Sequence, residues 1–209
     1  MKFVSLISSG IDSPVATYLI SRYADEIVMV HGDCSPFTDK RELDNFKKLN
    51  SHLKKQIKIK TKVFLISHGE NLDLFKKNCN NRYTCVFCKR MLLRYAEKIA
   101  EIEGADAIVM GDSLGQVASQ TIQNIKTIEQ SVKTPVLRPL IGLDKEDVIK
   151  IAKEIKSYDL SILPSSGCNA VPKKPSTAAK IEDILLEENK LDIDSLVNNA
   201  VKNAKIVNI

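Results

Sequence analysis

FVSLI (residues 3–7), SSGIDS (8–13) and PVATYLISRY (14–23) follow one another without a gap, and their reading decides the fold. The first is a short, largely apolar run that predicts a buried strand. The second is a turn of small and polar residues, and the third opens with Pro14, a residue tolerated in the first turn of a helix. Strand, tight turn and helix in that order gather backbone N–H groups and a helix N-terminus around one point, which suits a phosphate. Residues 8–13 fit neither the Gly-x-x-x-x-Gly-Lys-Ser/Thr loop nor the Gly-x-Gly-x-x-Gly fingerprint. An ordinary strand-to-helix turn with Asp12 and Ser13 as caps is the plain alternative.

The alternation continues downstream. EIVMVH (26–31) reads as a strand, residues 39–55 as a helix and KVFLIS (62–67) as a strand. A helix over 89–103 ends at Gly104, and DAIVMG (106–111) gives a further strand. A loop at GDSLGQ, a helix to about Ser131, a short strand in PVLRPLI and a helix capped by Asp144 follow. SILPSSGCNAVPKKPST (161–177) carries three prolines and one glycine and reads as a long functional loop. Two short helices, 178–188 and 193–204, finish the chain. The pattern predicts an α/β fold: a parallel five-stranded sheet with helices on both faces and a short helical C-terminal extension, in one domain over 1–209.

Composition narrows the function classes. With 44% hydrophobic and 27% charged residues the chain can bury a core, and disorder is not its default. No apolar run approaches the roughly 18 residues of a membrane span, and MKFVSLISSG lacks the pattern of a signal peptide, so a soluble cytoplasmic protein with no membrane partner is expected. A net charge of +5 and a pI near 8.8 suit a polyanionic partner without requiring one. Aromatic residues at 5%, with no Trp, argue against a base-stacking surface, so nucleic acid would be held through its phosphates. Five cysteines in a reducing compartment point to metal, cluster or redox chemistry.

SSGIDS resembles the Ser-Gly-Gly-x-Asp-Ser loop of the PP-loop ATP pyrophosphatases, with Ser9 where that family has its first glycine. GDSLGQVASQT (111–121) resembles a segment of the tRNA 4-thiouridine synthetase family, ThiI. SSGIDSPVA (8–16), SPFT (35–38), CKRMLLRYAEKIAE (88–101), RPLIGLDKEDVIKIAK (138–153) and SILPSSGC (161–168) continue the likeness in order across nearly the whole chain. The resemblance implies a HUP-type domain that uses ATP and Mg2+ to adenylate a tRNA uridine at O4 before sulfur replaces that oxygen. It implies nucleotide contacts at Leu6, Ile7, Ser8, Ser9, Gly10, Ile11, Asp12, Ser13, His31, Gly32, Lys89, Gly111 and Gln120. Asp12 would hold Mg2+ or orient the triphosphate, and Lys145 would meet the charge developing on pyrophosphate. As a lone histidine, His31 reads equally well as a loop residue.

Cys85 and Cys88 form a Cys-x-x-Cys pair, read as a loop just before a helix, and Cys168 lies in the Pro-rich loop. Within the family, three cysteines of this arrangement bind an iron–sulfur cluster in some members, [4Fe-4S] being the expected type, while Cys168 matches a catalytic cysteine in others. A zinc site closed by Cys79, Cys34 or a histidine, and a redox role for Cys168 alone, stay open. Cys34 and Cys79 otherwise read as thiols with no catalytic task. A sulfur donor, sulfide or a persulfide carrier, is implied as a second partner beside tRNA. The family's THUMP and rhodanese domains are not expected within these 209 residues, so a THUMP-bearing protein or a homodimer is expected to help hold tRNA. Lys47, Lys48, Lys54, Lys55, Lys58, Lys60 and Lys62 read first as a solvated face. Lys173, Lys174, Arg90 and Arg94 read as guides for an RNA strand.

Overall fold

Strand β1 (Lys2–Leu6) is buried on both faces, as a central parallel strand must be, and the rest of the fold is arranged around it. The structure, a computed structural model, describes residues 1–208. β1 leads into helix α1 (Asp12–Ser21), then come β2 (Glu26–Asp33), α2 (Lys40–Ile57), β3 (Lys60–Ser67) and α3 (Gly69–Asn78). A 3-10 turn (Asn81–Tyr83) opens α4 (Thr84–Glu103), followed by β4 (Ala107–Val109), α5 (Ile122–Glu129) and β5 (Val136–Leu137). The chain closes with α6 (Lys145–Glu154), α7 (Tyr158–Ser161), α8 (Ile181–Glu188), α9 (Ile193–Lys202) and β6 (Lys205–Ile206).

The sheet runs β5-β4-β1-β2-β3-β6. Every pairing among the first five is parallel, and β6 pairs antiparallel with β3. The expected five-stranded parallel sheet is therefore a mixed sheet of six. The added strand is two residues long at an edge, too short to carry an alternation in sequence. Side chains alternate across β1: Val4 and Leu6 join the core under α3, α4 and α9, while Phe3 joins the one under α1, α2 and α6. Helices thus cover both faces. Strand order reverses between β1 and β4, and a crevice outside the carboxyl ends of strands at such a point is where open α/β sheets bind ligands. No helix among the described residues is long and apolar enough to cross a membrane.

Two sequence expectations are corrected here. Cys85 and Cys88 do not lie in a loop: α4 begins at Thr84, so both sit in its first turns, three residues apart on one face. Arg90 and Arg94 do not face an RNA path. Arg90 is 1% exposed and binds both carboxylate oxygens of Glu188 at 2.8 Å, and Arg94 does the same, so the pair fastens α8 to α4. Burial pushes the Glu188 carboxyl up, but the two guanidinium groups outweigh it and hold its pKa down at about 2.

Candidate nucleotide and sulfur site

Residues 8–13 fold into a loop that bonds to itself. Ser8 N donates to Ser13 Oγ (2.8 Å), and Gly10 N donates to Ser8 Oγ (3.3 Å). Ser9 takes no left-handed backbone angle, so the glycine missing at this position is not needed for conformation, and its hydroxyl donates to Glu42 of α2. Gly111 is needed. A Cβ there would stand 2.7 Å from both Cα and N of Ser13, so the end of β4 and the loop touch only because this residue has no side chain.

The loop forms one wall of a cavity of about 390 Å³. Leu6, Ile7, Ser8, Gly10, Ile11, Asp12, Ser13, His31, Gly32, Lys89, Gly111 and Gln120 all line it. Of the implied nucleotide contacts only Ser9 stands back, behind its bond to Glu42, which itself lines the cavity. His31 is no loop residue: it lies in β2, donates from Nδ1 to Ile7 O (2.9 Å) and stacks on Phe46 at 3.8 Å between ring centroids. Burial lowers its pKa, so the ring is neutral. Lys145 reaches Asp12 Oδ1 at 2.5 Å from the first turn of α6.

Asp112 was not foreseen, although it follows Gly111 directly. Its carboxylate accepts from Lys89 Nζ (2.6 Å), Arg138 Nε (3.3 Å) and Gln120 Nε2 (3.4 Å). Burial raises its pKa, Lys89 and Arg138 lower it further than that, and the group stays ionised. Gln120 is thereby oriented. Its Oε1 is buried without a hydrogen-bond partner among the described residues.

The thiols gather beside this cavity. Cys168 lines it, and so does Cys34 from just beyond the end of β2. Cys34 Sγ lies within 4.8 Å of Cys88 Sγ and shares the cavity lining with Cys168. The sulfur atoms of Cys34 and Cys88 and a ring nitrogen of His68 all lie within 4.8 Å of one another. Cys34, which the sequence left either as a candidate fourth ligand or as an idle thiol, therefore lies in the sulfur group. Cys79, by contrast, caps α3 and donates to Glu187 O (3.4 Å). Contact with Cys168 draws the Cys34 pKa down, but contact with Cys88 and burial leave it well above the ordinary thiol range. Cys168 is raised by its bond with Cys34 and by burial, and Cys85 by burial and the nearby Cys168.

Behind Cys88 runs a buried polar chain with no signal in sequence spacing. Asn71 Nδ2 donates to Tyr95 Oη (2.7 Å), Tyr95 Oη meets His68 Nδ1 (3.2 Å), and His68 Nε2 meets Cys88 Sγ (3.3 Å). Tyr95 and His68 are fully buried, and burial lowers the His68 pKa to about 4.

A strand-order reversal, a self-bonded Ser/Gly loop at that reversal and a cavity at the strand ends together define an α/β protein of the PP-loop fold class. The chain belongs to the ThiI family: the family described as thiamine biosynthesis protein (ThiI) matches residues 1–193. It is 42% identical over 193 residues to a probable tRNA sulfurtransferase of Methanothermobacter thermautotrophicus, covering 92% of this chain and 50% of that protein. A probable tRNA sulfurtransferase of Methanobrevibacter smithii is 44% identical over 186 residues, covering 88% of this chain and 48% of the relative. The chain thus spans about half the length of the curated relatives it matches. A 4-thiouridine synthetase crystallised with RNA and bound ATP superposes with a TM-score of 0.92 at 32% identity, over 99% of this chain and 54% of the other. A U34-tRNA thiolase, NcsA of Methanococcus maripaludis, solved with its [4Fe-4S] cluster, shares the fold at a TM-score of 0.53 and 18% identity, over 98% and 74% of the two chains.

Proposed function

We propose that this chain carries the active site of an ATP-dependent tRNA sulfurtransferase that adenylates the O4 of a uridine and replaces that oxygen with sulfur. The observation that carries the proposal is the shared cavity: the Ser8–Ser13 loop and the thiols of Cys34 and Cys168 line one space. An enzyme that activates a carbonyl oxygen with ATP and then displaces it with sulfur needs the two chemistries within one bound substrate's reach. Family membership and the close match to an ATP-bound 4-thiouridine synthetase support the same substrates.

ATP lies with its phosphates on the loop and its adenosine against His31 and Gly32. Gln120, which lines the cavity, lies against the nucleotide. The uridine O4 attacks the α-phosphorus, the bond to the β-phosphate oxygen breaks, and pyrophosphate leaves past Lys145, whose ammonium meets the developing charge. A sulfur nucleophile then bonds to C4 and AMP departs with the original oxygen; adenylation is needed because a free carbonyl oxygen is a poor leaving group. Asp12 would hold Mg2+, a hard cation suited to carboxylate and phosphate oxygens. The donors gathered beside the cavity are soft thiols with one neutral imidazole, a set suited to zinc or an iron–sulfur cluster and not to Mg2+. A cluster held by Cys85, Cys88 and Cys168 would present a sulfur species at an iron that these three leave open.

The test uses tRNA nucleosides. Mass spectrometry of tRNA from a deletion strain should lose 4-thiouridine and regain it on complementation. Unchanged 4-thiouridine, with loss of another thiolated nucleoside, would move the sulfur to a different tRNA position.

A further inference from the structure

Three elements are tied together at the thiols. His68 N, at the start of α3, donates to Asp33 O at the end of β2 (2.8 Å). Asn169 N, beside Cys168, donates to Phe37 O in the loop that carries Cys34 (2.8 Å). A Cβ on Gly69 would stand 1.7 Å from Ser35 O, so the start of α3 packs directly on the backbone following Cys34. Cys34, His68 and Cys168 are therefore held in place by main-chain contacts, and Cys88 by a helix.

Cys34 and His68 both approach Cys88, and hydrogen-bond directions distinguish them. The Tyr95 hydroxyl is buried, already accepts from Asn71 and has one proton to give. His68 Nδ1 is the atom placed to accept it. That fixes the proton of the neutral ring on Nε2, which then donates to the Cys88 sulfur and has no lone pair for a metal. Cys34 donates only a long bond to Gly32 O (3.6 Å), which leaves its sulfur lone pairs free, and that sulfur lies within 4.8 Å of the Cys88 sulfur and lines the cavity with Cys168.

We propose that Cys34 is a fourth thiol ligand of the centre, making with Cys85, Cys88 and Cys168 a four-cysteine set, and that His68 serves it only as an N–H donor. This rests on the cluster reading above and deepens it. A cluster ligated four times has no open iron, so Cys34 is the cap that an incoming sulfur species displaces. The exchange would balance without oxidant or reductant: hydrogen sulfide would supply hydrosulfide to the position that Cys34 leaves, and its other proton would pass to the released Cys34 thiolate. The cap faces the nucleotide cavity, so displacement opens the metal toward the adenylated uridine.

The full chain, reconstituted anaerobically with iron and sulfide, is compared with Cys34→Ala, Cys34→Ser and, as a control, Cys79→Ala. Both Cys34 variants should keep a cluster but lose iron to a chelator about tenfold faster or more than the parent. Added sulfide should change the EPR spectrum of their reduced form at concentrations that leave the parent and Cys79→Ala unchanged. Equal chelation rates and equal sulfide responses in all four proteins overturn the assignment. If the parent takes up no iron, the cluster reading fails by itself, and cobalt(II) then judges Cys34 separately. A thiolate-to-cobalt band weaker in Cys34→Ala than in the parent supports ligation, and identical bands overturn it.

Discussion

Lys145 Nζ lies 2.5 Å from Asp12 Oδ1, joining the first turn of α6 to the phosphate loop across 133 residues of sequence. The side chains keep 42% and 24% of their exposure, so this ion pair contributes little to stability, within about 1 kcal/mol. Its position at the mouth of the loop gives it another use. Asp12→Ala and Lys145→Ala should each lower ATP- and tRNA-dependent pyrophosphate release about 100-fold or more, with unfolding midpoints unchanged. Normal release from Asp12→Ala would take that carboxylate out of the mechanism.

Ser9 and Gly111 predict opposite sensitivities to one methyl-sized change. Ser9→Gly should leave ATP affinity nearly intact, because Ser9 needs no glycine conformation. Gly111→Ala drives a Cβ into the Ser13 backbone and should cost about 1–3 kcal/mol of stability and most of the ATP affinity. Titration calorimetry with a non-hydrolysable ATP analogue measures both. Equal affinities in the two variants would mean that the loop shifts without penalty.

The contrast also marks what the sequence disclosed. Ser8–Ser13, Gly111 and Gln120 sit in short stretches whose residue types already imply close backbone approach to phosphate, so loop and fold class were legible together. Cys34 was legible only as one of three candidates for a fourth zinc ligand, because it is 54 residues from Cys88 and no spacing announces that the end of β2 meets the start of α4. His68 follows β3 directly and opens α3, and His31 lies near the carboxyl end of β2, so both stand where strands of an open sheet present ligand-binding residues. Arg90 and Arg94 looked like surface charges because nothing in α4 announces Glu188, which arrives from nearly 100 residues away. Short edge strands and helix starts escaped for want of residues to form a period.

Glu188 predicts an acid-sensitive joint. Its folded pKa, about 2, lies below the ordinary value of 4.5, so its stabilisation is complete above about pH 4.5 and disappears as pH falls toward 2. Glu188→Gln removes the charge between two buried or half-buried guanidinium groups and should destabilise the chain by about 3 kcal/mol or more at neutral pH. The variant should also lose less stability than the parent between pH 5 and 3. Denaturant unfolding across that range decides the point, and parallel pH curves for the two proteins would contradict it.

Tyr95→Phe takes one oxygen from the chain behind Cys88 and leaves Asn71 Nδ2 and His68 Nδ1 buried without their partner. The stability loss should be about 1–3 kcal/mol. A merely structural role for the hydroxyl would end there. A positioning role reaches further: with Nδ1 no longer an acceptor, His68 can place its proton there and withdraw the donor from the Cys88 sulfur. Hydrogen bonds to sulfur favour the more negative, reduced state of a cluster, so its reduction potential should fall in Tyr95→Phe. His68→Phe should lower it at least as far, while Leu53→Val, a change in the core on the opposite face of the sheet, should leave it in place. A potential that follows stability across all three variants, and not the loss of the N–H donor, would reduce Tyr95 to a packing residue.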